Sequence, residues 1–230
     1  MKLATKRIAM GGEGGQGVQS AADILAEAAY EEGKEALYIP NFGIEQRGGV
    51  SLAFVQIGDA PAGSPKFKQA DLVVALSGRS LERLIGYLWE ETIILYDSAW
   101  LAPPAVSDQV VGWQSYDTTA PDSFAERGMT DRRQKFPEIT QKVKSIFELP
   151  ASEIAMEKLH PRVSNVIILG ATARVTGAVH LESTKKALEN RLASKIKRDP
   201  NLKTLNFNAL EIGWEAGERM LKSPAYSAAR

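Results

Sequence analysis

The chain has 230 residues, 28 basic against 28 acidic side chains, two histidines and no cysteine. That length suits one generous α/β domain and leaves two independent domains cramped. Zero formal net charge gives no field that favours a polyanion, so nucleic acid is not expected as a partner, and the missing thiols exclude a disulfide framework, a thiolate-held iron–sulfur cluster and a cysteine nucleophile on this chain.

Lys6 to Met10 is a short apolar run that stops at a glycine cluster, the pattern of a buried first strand. Val18, Ala21, Ala22, Leu25, Ala28 and Ala29 then recur at helical spacing, and Gly33 is placed to end that helix. Ala36 to Ile39 reads as a second strand, Ser51 to Ile57 as an alternating third, and Asp71 to Leu76 as a strand covered on both faces. A helix from Ser80 to Leu88 and a strand from Thr92 to Tyr96 follow. The region from about 102 to 147 is rich in Pro, Asp and Ser and reads as an inserted arm. Its aromatics Trp113, Tyr116, Phe124 and Phe136 imply packing against something, a partner subunit among the options. Helices are expected over Ser152–Leu159, Val163–Val175, Leu181–Lys197 and Phe207–Leu221, with the charges of the third taken as a solvated face. The alternation of elements implies a three-layer α/β fold with a mainly parallel, Rossmann-like sheet, a single domain over 1–230.

No stretch reaches the roughly 20 apolar residues needed to cross a bilayer, and the basic N-terminus lacks the apolar core of a secretory leader, so a cytoplasmic protein with no membrane contact is expected. His160 and His180 have no acid or base partner nearby in sequence. A zinc site would need carboxylates for most of its ligands, and neither a metal site nor a catalytic residue is expected on this chain.

Gly12-Glu13-Gly14-Gly15-Gln16-Gly17 satisfies G-x-G-x-x-G between a strand and a helix, where free N–H groups would face an anion. The bland alternative is a tight strand-to-helix turn without a ligand. A dinucleotide site needs an acidic residue closing the second strand, and Ile39-Pro40-Asn41 supplies none. A P-loop lysine is missing too. Arg47, between Glu45 and the Gly48-Gly49 pair, either presents its guanidinium to a phosphate or carboxylate or pairs with Glu45 to brace a turn. Asn165, read as the first residue of its helix, is expected to be a cap rather than a ligand.

Three blocks carry a resemblance. Gly11 to Val18 with the alanine-rich helix, Phe42-Gly43-Ile44-Glu45-Gln46-Arg47-Gly48-Gly49-Val50-Ser51, and Asn165 to Ala171 resemble the gamma subunits of 2-oxoacid:ferredoxin (acceptor) oxidoreductases, and Asn206 to Gly213 resembles their closing helix. The resemblance implies an accessory subunit beside alpha, beta and ferredoxin-like delta partners. It implies that thiamine diphosphate, magnesium and iron–sulfur clusters sit in those partners, that coenzyme A enters the complex, and that this chain alone binds no cofactor. The residues it nominates for contact with coenzyme A or another anion are Gly12, Gly14, Gly15, Gln16, Gly17, Glu45, Arg47, Gly48, Gly49 and Asn165. A free-standing nucleotide-binding oxidoreductase and a purely structural assembly subunit are the alternatives.

Overall fold

The computed structural model describes residues 4–42, 49–102 and 133–223. Glu45, Arg47 and Gly48, together with Trp113, Tyr116 and Phe124 of the expected arm, lie outside the described residues.

Six strands, β1 (Lys6–Glu13), β2 (Glu35–Phe42), β3 (Val50–Gly58), β4 (Leu72–Ala75), β5 (Ile93–Tyr96) and β6 (Ser145–Glu148), form one sheet in the order β2-β3-β1-β4-β5-β6. β3 runs antiparallel to both β1 and β2, while β1, β4, β5 and β6 pair in parallel. Five strands therefore point one way, as the mainly parallel expectation has it, and β3 alone is reversed. β4 and β5 are buried at every position because helices or loops cover both faces, which is why they read as unbroken apolar runs.

The helices are α1 (Val18–Glu31), α2 (Gly78–Leu84), α3 (Ala151–Lys158), α4 (Ser164–Thr176), α5 (Leu181–Ile196) and α6 (Asn201–Leu221). Strand alternation divides the core. Ile8, Met10, Val55, Leu72, Val74 and Leu95 face α1 and α4, while Ala9, Val73, Ala75, Ile94 and Tyr96 face α2 with Phe67 and Phe136. Nine of the thirteen residues of α4 are buried, so this helix is apolar on nearly every side and packs on β4, α1, α3 and α6 at once. The α4–α6 contact is backbone to backbone: a Cβ on Gly213 would strike the Ile167 carbonyl, and one on Gly170 the Leu210 carbonyl.

Several boundaries differ from the sequence reading. α2 stops at Leu84 and tightens into a 3-10 turn at Ile85–Tyr87. Its start is fixed by a reciprocal cap in which Ser77 Oγ accepts from Ser80 N–H and Ser80 Oγ accepts from Ser77 N–H, both at 3.2 Å. The described end of the expected arm, from residue 133 on, is part of the domain. Phe136 is buried edge-on against Tyr96, with centroids 5.1 Å apart, and Ser145–Glu148 is the last strand of the sheet. The basic charges of α5 are largely exposed, as read, and three of them also make ion pairs. Lys186 pairs with Glu31 and Arg191 with Asp23 at 3.3 Å, both on α1, and Lys185 meets Glu211 of α6 at 2.9 Å. Among the described residues no helix is long and apolar enough to cross a membrane.

Candidate functional site

From β1 the chain passes through α1 toward β2, and from β4 through α2 toward β5 on the other side, with α1 and α2 on opposite faces. β1 and β4 are thus neighbours whose connections diverge, and the carboxyl ends of two such strands frame the crevice in which open α/β sheets place ligands. The glycine turn forms one wall of it and Leu76–Gly78 the other.

Gly17 is the cap residue of α1 and has φ 75°, a left-handed conformation in which a side chain is strained. Gly15, at φ 100°, has open space where a Cβ would stand. Two contacts draw distant motifs to this turn. Gly14 N–H donates to the Gly49 carbonyl at 3.0 Å, and Asn165 Nδ2 donates to the Gly17 carbonyl at 3.4 Å. The three resembling blocks therefore meet at one edge of the sheet.

Gln16 spans the crevice. Its Oε1 accepts from Glu13 N–H at 2.6 Å and its Nε2 donates to the Leu76 carbonyl at 3.0 Å. Gln134 adds a second tie: its Nε2 donates to Glu13 Oε1 at 3.2 Å and its Oε1 accepts from Gly78 N–H at 2.6 Å. Within the turn, Glu13 N–H is taken by Gln16 Oε1, Gly14 N–H by the Gly49 carbonyl and Gln16 N–H by the Glu13 carbonyl. β3 also stands between β1 and β2, pushing the end of β2 away from the glycine turn by about one further strand spacing, ~4.8 Å. A dinucleotide cradle does not fit this arrangement. The glycine motif instead makes a compact turn and a wall.

Asn165 is the second residue of α4, after Ser164, and the cap residue is Val163, which makes no side-chain cap. The expected cap is thus corrected: the Asn165 amide reaches across to Gly17. His160 Nδ1 accepts from Arg162 N–H at 3.1 Å in a short 3-10 turn, and His180 precedes α5, its N–H donating to Glu32 Oε1 at 2.6 Å. Burial pushes the Glu32 carboxyl up, but the His180 N–H, the Lys34 ammonium and the Ser183 hydroxyl outweigh it and hold the group below the usual range. Among the described residues no three or more His, Asp or Glu side chains are grouped so that they could hold a metal ion.

Two sets of residues were not foreseen. Asp97, closing β5, is buried and accepts from Ser152 Oγ at 2.6 Å, Ser152 N–H at 3.2 Å and Ala99 N–H at 3.1 Å, tying the sheet to the start of α3. Burial raises its carboxyl above the ordinary value despite those donors. An acid directly after the apolar run Ile-Ile-Leu-Tyr was the available signal. Gln19 links Tyr38 to Ser51 and Leu52, and no spacing rule announces such a bridge. A cavity of about 210 Å³ between Lys6, Asp71, Trp89 and Lys144 lies at the amino ends of the strands, away from the glycine turn.

The described residues form an open α/β domain whose motif blocks are gathered at a switch point of the sheet. The chain belongs to the pyruvate ferredoxin/flavodoxin oxidoreductase family, whose pattern matches residues 7–216. It is 31% identical over 191 residues to the pyruvate/ketoisovalerate oxidoreductases common subunit gamma of Thermococcus litoralis, across 80% of this chain and 85% of the relative. It is 30% identical over 207 residues to the NADH-dependent phenylglyoxylate dehydrogenase subunit gamma of Aromatoleum evansii, across 88% and 89%. The keto/oxoacid ferredoxin oxidoreductase gamma subunit of Geobacter sulfurreducens superposes with a TM-score of 0.64 at 25% identity, covering 93% of this chain and 99% of that one. The chain is a gamma-type subunit of a multi-subunit 2-oxoacid oxidoreductase.

Proposed function

We propose that this subunit serves a thiamine-diphosphate-dependent oxidoreductase that decarboxylates a 2-oxoacid, usually to an acyl-CoA, with electrons passing to iron–sulfur clusters in partner chains. Thiamine diphosphate and magnesium in the alpha and beta subunits supply the carbanion-stabilising chemistry, and a ferredoxin-like delta subunit carries clusters that a chain without cysteine has no thiolates to hold. The gamma chain shapes the carboxyl edge of its sheet as the anion side of the assembled site. It supplies no nucleophile.

The observation that carries this reading is the meeting of the three motif blocks through Gly14–Gly49 and Gly17–Asn165. In this reading Arg47, in the Glu45–Gly49 block that the Gly14–Gly49 bond ties to the glycine turn, is the fork that meets a phosphate or carboxylate. Ser51 pairs with Gly12 on one side and Phe42 on the other, so that block ends against the glycine turn and begins one strand further out.

Arg47→Lys in the reconstituted complex tests the reading, because the charge stays and the fork is lost. The expected result is an intact complex with a raised KM for coenzyme A, a loss of about 1 to 3 kcal/mol in binding. The Gln16 crossbar favours a second reading in which this edge only braces the assembly. In that case the same substitution loosens the complex in size-exclusion chromatography while the intact fraction keeps normal affinity.

A further inference from the structure

Gln19, in the first turn of α1, lies outside the glycine motif, yet both ends of its amide are held. Its Oε1 accepts from the Tyr38 hydroxyl at 2.6 Å, and its Nε2 donates to Ser51 Oγ at 2.7 Å and to the Leu52 carbonyl at 2.8 Å. Two amide hydrogens meet two acceptors and the oxygen meets a phenolic proton. Reversing the amide would set oxygen against the Leu52 carbonyl, so the network admits one orientation. Burial, and after it the nearby Asp23, pushes the Tyr38 phenol above its ordinary value, which keeps the hydroxyl a donor.

The three strands and turns that this bridge joins are the ones that matter for the motif edge. Tyr38 belongs to β2, Ser51 and Leu52 to β3, and Gln19 follows the glycine turn by two residues. Ser51 lies two residues beyond Gly49, whose carbonyl receives the Gly14 N–H. A shift of the start of β3 would therefore misalign Gly49 against the turn.

We infer that Gln19 and Tyr38 are positioning residues: they set the Gly49–Ser51 start of β3 against the glycine turn and, through that register, the affinity of the complex for its phosphate-bearing acyl acceptor. This rests on the reading that the carboxyl edge is the anion side of the site. It adds two side chains that touch no ligand themselves.

The test uses the assembled oxidoreductase with coenzyme A as the probe. Tyr38→Phe removes one oxygen and keeps the ring, and Gln19→Met keeps the length and removes the hydrogen bonds. Each is expected to leave the complex intact and kcat unchanged while raising the KM for coenzyme A about three- to tenfold, the scale of one lost hydrogen bond. The double variant should be no worse than Gln19→Met alone, since the tyrosine acts through the glutamine. An unchanged KM in both single variants overturns the inference. So does a lowered melting temperature or looser assembly with a normal KM in the surviving complex, the mark of a merely structural bridge. Arg47→Ala, measured alongside, separates the two levels. If it alone raises the KM, the positioning role falls and the reading of the edge stands. If the KM is unchanged in all three variants, both fall. If only the Gln19 and Tyr38 variants raise it, positioning stands and groups other than Arg47 hold the anion.

Discussion

Asn165 and Gly17, 148 residues apart in the chain, are in contact: the Asn165 amide meets the Gly17 carbonyl at 3.4 Å, and a Cβ on Gly17 would stand 2.6 Å from Asn165 Nδ2. Glycine is required there twice, once by its left-handed backbone and once by the asparagine lying against it. Gly17→Ala combines αL strain of about 1 to 2 kcal/mol with a displaced Asn165. The expected outcome is a melting temperature lowered by about 4 to 8 °C. Adding Asn165→Ala should recover only the steric part, and a calorimetric scan of the four proteins reads the difference.

The helix pair α4 and α6 gives a sharper contrast among the glycines. Gly213→Ala drives a methyl into the Ile167 carbonyl, a clash with backbone that no rotamer relieves, and the helices must separate. Gly63→Ala, in open space with an ordinary φ, should leave stability within about 0.5 kcal/mol. Gly213→Ala is expected to cost about 3 kcal/mol or more, compared by urea midpoints at constant m-value.

Two carboxylates respond to pH with opposite signs. Glu32 is held below its ordinary 4.5 by the His180 N–H, Lys34 and Ser183 against the pull of burial, so its contribution is present above 4.5 and is lost as the pH falls through the lower folded value. Asp97 is raised above its ordinary 3.8 by burial, so its contribution is complete below 3.8 and is lost as the pH rises through the higher folded value. Glu32→Gln should therefore cost about 1 kcal/mol near neutrality and progressively less in acid. The stability of the unsubstituted chain relative to Asp97→Asn should instead fall as the pH rises out of the acid range. Urea titrations across that range check both slopes.

Much of the sheet was legible because buried strands leave apolar runs: Leu72–Ala75 and Ile93–Tyr96 sit within one residue of the sequence reading. β1 was read as ending at Met10 because glycine carries no strand signal. It runs on to Glu13 because β3 pairs with it residue by residue, Gly11 opposite Leu52 and Glu13 opposite Val50. Strand order has no local signature, so the insertion of β3 between β1 and β2 was not visible. The motif blocks were found by their residues, but their meeting was not. A hydrogen bond from Asn165 to Gly17 depends on how α4 crosses α1, which is decided by buried alanines and leucines whose partners the sequence does not name. The α5 charges are solvent-facing as read, but their ion-pair partners on α1 and α6 depend on the same packing and leave no mark in the sequence.

Ala102 N–H meets the Gln134 carbonyl at 2.9 Å, and Gln134 N–H meets the Trp100 carbonyl at 2.7 Å. The segment after β5 and the segment around Gln134 are therefore laid side by side, and the Gln134 side chain ties the pair to Glu13 of the glycine turn. Because the same glutamine also holds Gly78 N–H, a slip of this short ladder would be transmitted to both walls of the crevice at once, which makes the far side of β5 a mechanical part of the motif edge.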